Sequence, residues 1–356
     1  MKSIRASLQR TTRWLAFTLS VVTSDLAAKT IIFDAPGAGT DPNEGTQSFA
    51  MNAGGAITGI YFDSSFNVHG FLRSSDGNIT TIDVPPDLFT LAEDINSGGV
   101  ITGFYGDANF QAHGFVRTAD GAITTFDPPG SFGTNALANN AAGTIGGNFA
   151  DATGVNHGFI RTRQGTIITF DVPGAGSNAM NNGFNQGTFA TADALNESGV
   201  LAGAWWDPNF VQHGFVRNPD GSITKIDVVG ASGTNTTGIN AAGTVLGLYG
   251  DAAGTHGFIR ATNGNITTFD VPGAASTLPF NINSQGTITG FYADSNGVTH
   301  GFLRSANGTI TTIDAPNAGT SPGQGTVLFA INQAGALAGY YVDNNGVNHG
   351  LLVTSE

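Results

Sequence analysis

All seven histidines of this chain fall in one repeated phrase. His69, His113, His157, His213, His256, His300 and His349 are each followed by Gly and then by Phe, or by Leu in the last copy. An Arg stands four residues on in the first six copies, at Arg73, Arg117, Arg161, Arg217, Arg260 and Arg304. Successive histidines are 44, 44, 56, 43, 44 and 49 residues apart. A period of this size marks supersecondary units that stack or array, because one unit alone does not bury its own apolar face.

Each copy carries further fixed points. A short apolar stretch ends in Asn52, Asn96, Asn140, Asn196, Asn240, Asn283 or Asn332, and Gly follows three residues later. Asn-x-x-Gly predicts a tight turn with its glycine in the left-handed region. A strand such as "AITGIYFD" comes next, then a second turn, then the His-Gly-Phe strand. A third turn leads into "ITTFD" or "ITTID", which ends at Asp83, Asp127, Asp171, Asp227, Asp270 or Asp314. Pro stands two residues on in most copies and blocks extension of the ladder. The strands are rich in Ile, Thr, Phe, Val and Tyr, and residues 29–356 show no sustained helical period. Each copy therefore reads as a four-stranded antiparallel meander.

The two ends of the repeat array complement each other. The last copy stops after its third strand, at "VNHGLLVTSE", and residues 29–37, "KTIIFDAPG", supply the missing fourth. The expected fold is an all-β, seven-bladed β-propeller formed as one domain by residues 29–356. Its N-terminal strand completes the C-terminal blade, closes the ring and leaves no open edges. Two positions before the turn Asn stand Ala50, Asp94, Ala138, Ala194, Gly238, Asn281 and Ala330. Mostly small residues there suit the close approach of inner strands.

These residues resemble the HAF repeat family, bacterial repeats described as extracellular and named for a His-Ala-Phe motif. Here the middle residue is Gly, which keeps the position small. The resemblance covers nearly all of residues 29–356. It implies an exported repeat protein, and it carries over no reaction and no catalytic residue. The expected closure also resembles that of WD-repeat propellers, as an analogy of fold only.

Export is expected from the N-terminus as well. Lys2, Arg5, Arg10 and Arg13 precede an apolar run from Trp14 to Val22, and Ala27-Ala28 follow, an order that matches a secretory signal peptide over residues 1–28. The expected location is secreted, extracellular or periplasmic. Without that segment nine basic side chains face 25 acidic ones, which disfavours nucleic acid and anionic membranes as partners. No membrane insertion is expected, since the apolar run is too short to span a bilayer. The chain has no cysteine, so neither disulfides nor thiolate metal sites are available.

An Asp precedes each His by five or six residues, from Asp63 to Asp343. Asp, His and Arg repeated together suggest a structural hydrogen-bond network holding the second turn and the fourth strand. That assignment leaves no spare His for a zinc site or a Ser-His-Asp triad. The "DSNG" and "DNNG" turns lack the remaining carboxylates of a calcium loop, so no metal and no cofactor are expected.

Function is sought where the repeat symmetry breaks. The connection from the fourth-strand Asp to the next turn Asn is longest at Asp34–Asn52, Asp171–Asn196 and Asp314–Asn332. These connections share a face with the second turns and are expected to rim the central opening. Trp206, next to the core Trp205, suits stacking on a sugar. Asp41, Glu44, Glu93, Asp94, Asp193 and Glu197 are carboxylates outside the repeat pattern, and Asp94 takes a position otherwise mostly Ala. The expected function is a monomeric binding or scaffold module for glycans or cell-surface proteins. Trp206, Asp41, Glu44, Asp94 and Asp193 are its candidate ligand-binding residues. The alternative is a glycoside hydrolase or polysaccharide lyase using a pair of these acids.

Overall fold

A computed structural model describes residues 28–85, 88–178 and 186–355. The leader-like segment, up to residue 27, lies outside the described residues. Every regular element among the described residues is a β-strand, and none is a helix long and apolar enough to cross a membrane. β1 (Ala28–Phe33) precedes repeat 1, formed by β2 (Gly45–Met51), β3 (Ile57–Phe62), β4 (Val68–Arg73) and β5 (Ile79–Ile82). These pair in antiparallel succession, with Ser48 opposite Gly59, Gly59 opposite Phe71 and Phe71 opposite Thr81. The same order recurs behind the first strands of the later repeats: Phe89–Ile95, Ser131–Asn139, Gly187–Leu195, Gly233–Ile239, Ser276–Ile282 and Gly325–Ile331. In the last repeat the third strand, Asn348–Ser355, pairs with β1 from Ala28 opposite Ser355 to Phe33 opposite Gly350. First strands pack against one another in chain order, and that of the last repeat packs against β2. The result is a propeller-like array with the first strands innermost.

The repeated phrase divides its labour between inside and outside. Phe71, Phe115, Phe159, Phe215, Phe258 and Phe302 are fully buried, and Leu351 fills the same place in the last copy. Burying each such side chain is worth about 2–3 kcal/mol. The middle Gly admits the aromatic ring of the fourth strand: a Cβ at Gly114 would stand 2.9 Å from the Phe126 ring.

The histidine side chains are half-buried, and six of the seven stand between two carboxylates. Nδ1 lies within hydrogen-bond reach of the fourth-strand Asp in every copy, from 2.6 Å in His213–Asp227 to 3.0 Å in His349–Asp34. Nε2 faces the second-turn Asp, closest in His256–Asp251 at 3.0 Å. Each ring also lies against an aromatic ring of the second strand, such as Trp205 on His213 at 4.3 Å and Tyr61 on His69 at 4.8 Å.

The arginines do something other than expected. They are not part of the histidine network. The Arg73, Arg161, Arg217 and Arg304 guanidinium groups lie 4.8–4.9 Å from the ring centres of Phe33, Phe126, Phe170 and Phe269, each on the neighbouring outer strand. Nη1 donates to a turn carbonyl, as from Arg217 to Asn218 O at 3.1 Å. Cation–π contact of this kind seals one repeat to the one before it.

Two further ties join neighbours. The backbone N–H after the fourth-strand Asp donates to a buried Thr of the next first strand: Ala35 to Thr46 at 2.9 Å, Val172 to Thr188 at 3.0 Å, Ala315 to Thr326 at 2.9 Å. The turn asparagines form a relay. Asn52 Oδ1 accepts from the Gly54 and Ala56 N–H groups and fixes its own turn, where Gly55 has φ 81°. Its Nδ2 donates to Asn96 O at 3.2 Å, and the same bond runs from Asn96 to Asn140, Asn140 to Asn196, Asn196 to Asn240, Asn240 to Asn283 and Asn283 to Asn332. Asn332 Nδ2 meets the Met51 sulfur at 4.0 Å.

His113→Ala should lower the unfolding free energy by about 1–3 kcal/mol, because Asp127 loses a charge-assisted partner in a half-buried site. Urea titration checks this, and wild-type stability of the variant would remove the histidines from the structural framework.

Candidate functional site

The innermost strands differ most in repeat 4. From the tying Thr to the turn Asn the spacing is six residues in the other repeats, as in Thr46–Asn52, but eight in Thr188–Asn196. The other first strands carry a one-residue bulge, as between Ser48 and Ala50. Repeat 4 instead loses register from Ala190 to Leu195 against Gly203 to Leu201. The extra residues push Thr191, Ala192 and Asp193 inward. Asp193 sits at φ 55°, a left-handed conformation uncommon outside glycine, though Asp and Asn adopt it more readily than other side chains. Thr191 Oγ1 holds one side of the bulge by donating to Thr236 O at 2.8 Å. Asn281 Nδ2 donates to the Asp193 carboxylate from repeat 6.

This bulge meets the acids of repeat 2. Asp94 is buried and accepts from Ile95 N on one oxygen and from Asn139 N on the other, both at 2.6 Å. Glu93, next along the strand, faces the interior of the array. Burial, and then the charge of Asp94, pushes the Glu93 carboxyl up to about 7. Burial also raises Asp94, with the charge of Glu197 adding to it against its backbone hydrogen bonds. Asp193 rises well above the ordinary carboxylate range through burial and the charge of Asp94.

Two cavities meet at Asp193. One, of about 350 Å³, lies among the asparagine turns and is lined by Asp94, Asn139, Asp193, Glu197 and Asn281 besides the turn residues. The other, of about 280 Å³, is mostly apolar, with Phe49, Leu91, Phe280 and Phe329 beside Glu93, Asp193, Thr191 and Thr237. Glu197 stands at the turn end, where its Oε2 accepts from Ala141 N at 3.0 Å. Among the described residues no cluster of His, Asp and Glu has the geometry to hold a metal ion.

The expected candidates separate. Asp94 and Asp193 come together, joined by Glu93 and Glu197. They stand on the inner strands toward the asparagine turns, not on the rim formed by the long connections. Asp41, Glu44 and Trp206 lie away from them. Asp41 is exposed, and its N–H donates to Glu44 Oε2 at 2.9 Å. Glu44 is fully buried rather than a surface acid, and its backbone carbonyl accepts from Asn348 Nδ2 at 2.7 Å. Gln186 and Gln324 do the same work in the other long connections, accepting from Asn178 N and Ser321 N. All three precede a Gly-Thr pair whose glycine has positive φ and seats against the preceding repeat, as Gly45 does on Asn348. The repeated Glu/Gln-Gly-Thr signal is present in the sequence and marks these carbonyl and carboxylate groups as loop staples. Trp206 is half-buried at the end of the second strand of repeat 4, and its backbone carbonyl accepts from Gly176 N at 2.8 Å. Part of that connection, residues 179–185, lies outside the described residues.

No family model matches the chain, and no curated protein matches it. Solved structures do. A streptogramin B lyase is similar with TM-score 0.57 at 15% identity, over 91% of this chain and 97% of that one. A catalytically inactive virginiamycin B lyase from Staphylococcus aureus with quinupristin is similar with TM-score 0.58 at 13% identity, over 92% of this chain and 99% of that one. A prolyl endopeptidase is similar with TM-score 0.55 at 10% identity, over 89% of this chain and 50% of that one. At these identities the likeness defines the fold alone, and the chain is an all-β repeat protein of propeller-like architecture.

The raised acids fix a pH dependence. A carboxyl with a raised folded value stabilises the fold fully below the ordinary carboxylate range. That contribution is lost as pH rises through the folded value. Stability should therefore fall between about pH 4.5 and pH 7, and Glu93→Gln should flatten part of the fall. Burial alone would lower the His69 and His256 values, but their aspartate partners outweigh it and raise both, so those groups lose stability over an overlapping range. The difference between variant and wild type isolates Glu93. Parallel profiles from urea titrations at pH 5, 6, 7 and 8 would contradict the assignment.

Proposed function

We propose that the chain is a seven-bladed β-propeller of HAF type, closed by β1, and that it works as an exported binding module whose ligand enters the central cavity. Closure is supported by the pairing of β1 with the last third strand and by the asparagine relay, which returns to Met51. Export is supported by the leader-like order of residues 1–28. The binding role rests on one observation above the others. The strongest departure from the repeat, the widened bulge of repeat 4, delivers Asp193 to Glu93 and Asp94 rather than to the outer surface. Asp94 ties repeat 2 to Asn139 of repeat 3, and Asp193 accepts from Asn281 of repeat 6, but the raised Glu93 carboxyl in the apolar cavity ties no repeat to another, and other repeats mostly place an apolar residue there. Convergent polar groups in an apolar pocket are the usual form of a ligand site.

A second reading, recognition of glycans or a cell-surface protein by the rim, is favoured by a separate feature. Phe66, Phe110 and Phe210 occupy left-handed positions at the tips of their second turns, where Gly154, Gly297 and Gly346 stand in other repeats. Phe110 is 76% exposed and Phe66 57%. A bulky residue there costs about 1–2 kcal/mol relative to glycine, so something other than folding holds it in the sequence.

The two readings part in a thermal-shift screen combined with a glycan array. Hits against the wild type should be lost in Ala192→Phe, which fills the cavity, and kept in Phe66→Ser/Phe110→Ser. The reverse pattern moves the site to the rim. Release of reducing or unsaturated sugars from a polysaccharide panel, abolished by Glu93→Gln, would make the module an enzyme instead.

A further inference from the structure

We infer that the apolar cavity takes a small organic cation with an aromatic or bulky apolar body. This rests on the reading of the central cavity as the binding site and names the chemistry of its ligand.

The walls set the body of the ligand. Phe49, Leu91, Phe280 and Phe329 bound a space of about 280 Å³. Phe329 packs edge-to-face with Phe280 at 4.7 Å and with Phe49 at 6.0 Å. Phe280 also stacks on Phe291 at 5.5 Å, and an aromatic wall of this kind offers π surface, which attracts cations. The volume suits one ring with a short side arm.

The polar groups set the charge. Glu93 and Asp193 line the same space, with Asp94 and Glu197 behind them in the adjoining cavity. No Lys, Arg or His lines either cavity, so no positive charge in the protein answers these acids. Glu93 accepts no hydrogen bond among the described residues. Thr237, which is 5% exposed and lines the apolar cavity, has a hydroxyl without a partner. A buried polar group left idle in a native fold calls for an explanation, and a ligand donor is the simplest one that also satisfies Glu93. An anion would add to the repulsion. A neutral apolar guest would leave the acids without a counter-charge and gain nothing from them.

The same arrangement couples binding to protons. The charged groups nearest Glu93 are Asp94 on its own strand and Asp193 from repeat 4 in the same cavity, both acids, with Glu197 acting on Asp94 from the adjoining cavity. A bound cation favours their ionised forms, so its affinity should rise from pH 5.5 to pH 8 with release of protons.

The test is calorimetric titration at pH 8 with 2-phenylethylammonium, 2-phenylethanol and phenylacetate, which share a ring and differ in charge. The ammonium should bind about tenfold tighter than the alcohol, with phenylacetate weakest. Glu93→Gln should cut the ammonium's affinity about tenfold and leave the alcohol's nearly unchanged. Thr237→Val, a milder change, should weaken the ammonium alone if Glu93→Gln fails to fold. An alcohol that binds as tightly as the ammonium overturns the inference and leaves the cavity as the site. So does the absence of binding by all three probes while other hits still depend on Ala192. If no probe binds and no hit depends on Ala192, both the inference and the reading beneath it fall.

Discussion

The bond on which this architecture depends is the one that six of the seven turn asparagines make to the backbone of the next repeat. Asn96 illustrates it. Its Oδ1 accepts from Gly98 N and Val100 N and shapes its own turn, while its Nδ2 reaches Asn140 O at 2.8 Å. One amide thus sets the local hairpin and the position of the neighbour together. Only the longer and looser Gln shares this pairing of an amide donor with a carbonyl acceptor. The asparagines are buried, so these bonds do not compete with bulk water, and an unmade one leaves a desolvated group behind. Linear repeat proteins hold neighbours by apolar contact and fold as loosely coupled units. Here an inner relay of amides adds a polar, directional link.

Outside that relay, each layer of the repeat answers a different need. The threonines of the first strand tie down the chain where it leaves the outer strand. The buried phenylalanines fill the space between sheets. Four of the arginines, lying on the rings of the previous outer strand, cover the far end of the seam. The His–Asp pairs stand at the other end, half-exposed, where the second-turn Asp is also held by its own loop. Asp63, for example, is drawn down to about 2, chiefly by the Asn67 side chain. With every repeated polar group assigned to the framework, chemistry is left to the residues that break the repeat.

Much of this is legible in the sequence, because periodicity reports on the framework. The all-β character, the meander, the half-buried histidines and the small inner residues follow from spacing and residue type. The acids Glu93, Asp94, Asp193 and Glu197 stand out as departures from a consensus. Their meeting does not, since it depends on how the extra residues of repeat 4 divide between an outer connection and an inner strand. Only the Thr188-to-Asn196 spacing records that division. The role of the arginines escapes a sequence reading because strand alternation does not say where a long side chain ends. Arg73 stands four residues after His69, on the same face of the strand, yet its guanidinium runs across to Phe33. Glu44 looks like a free acid for a similar reason. A carboxylate that bends back to its own loop resembles any other until its equivalents, Gln186 and Gln324, are aligned with it.

The central claim is that the asparagine relay couples the repeats into one folding unit. Differential scanning calorimetry of the wild type and Asn196→Ala tests it most directly. One transition is expected in each, with calorimetric and van't Hoff enthalpies equal, and a lower midpoint for the whole transition in the variant. A variant that melts in two steps, with one group of repeats unfolding early and the rest at the wild-type temperature, would contradict it.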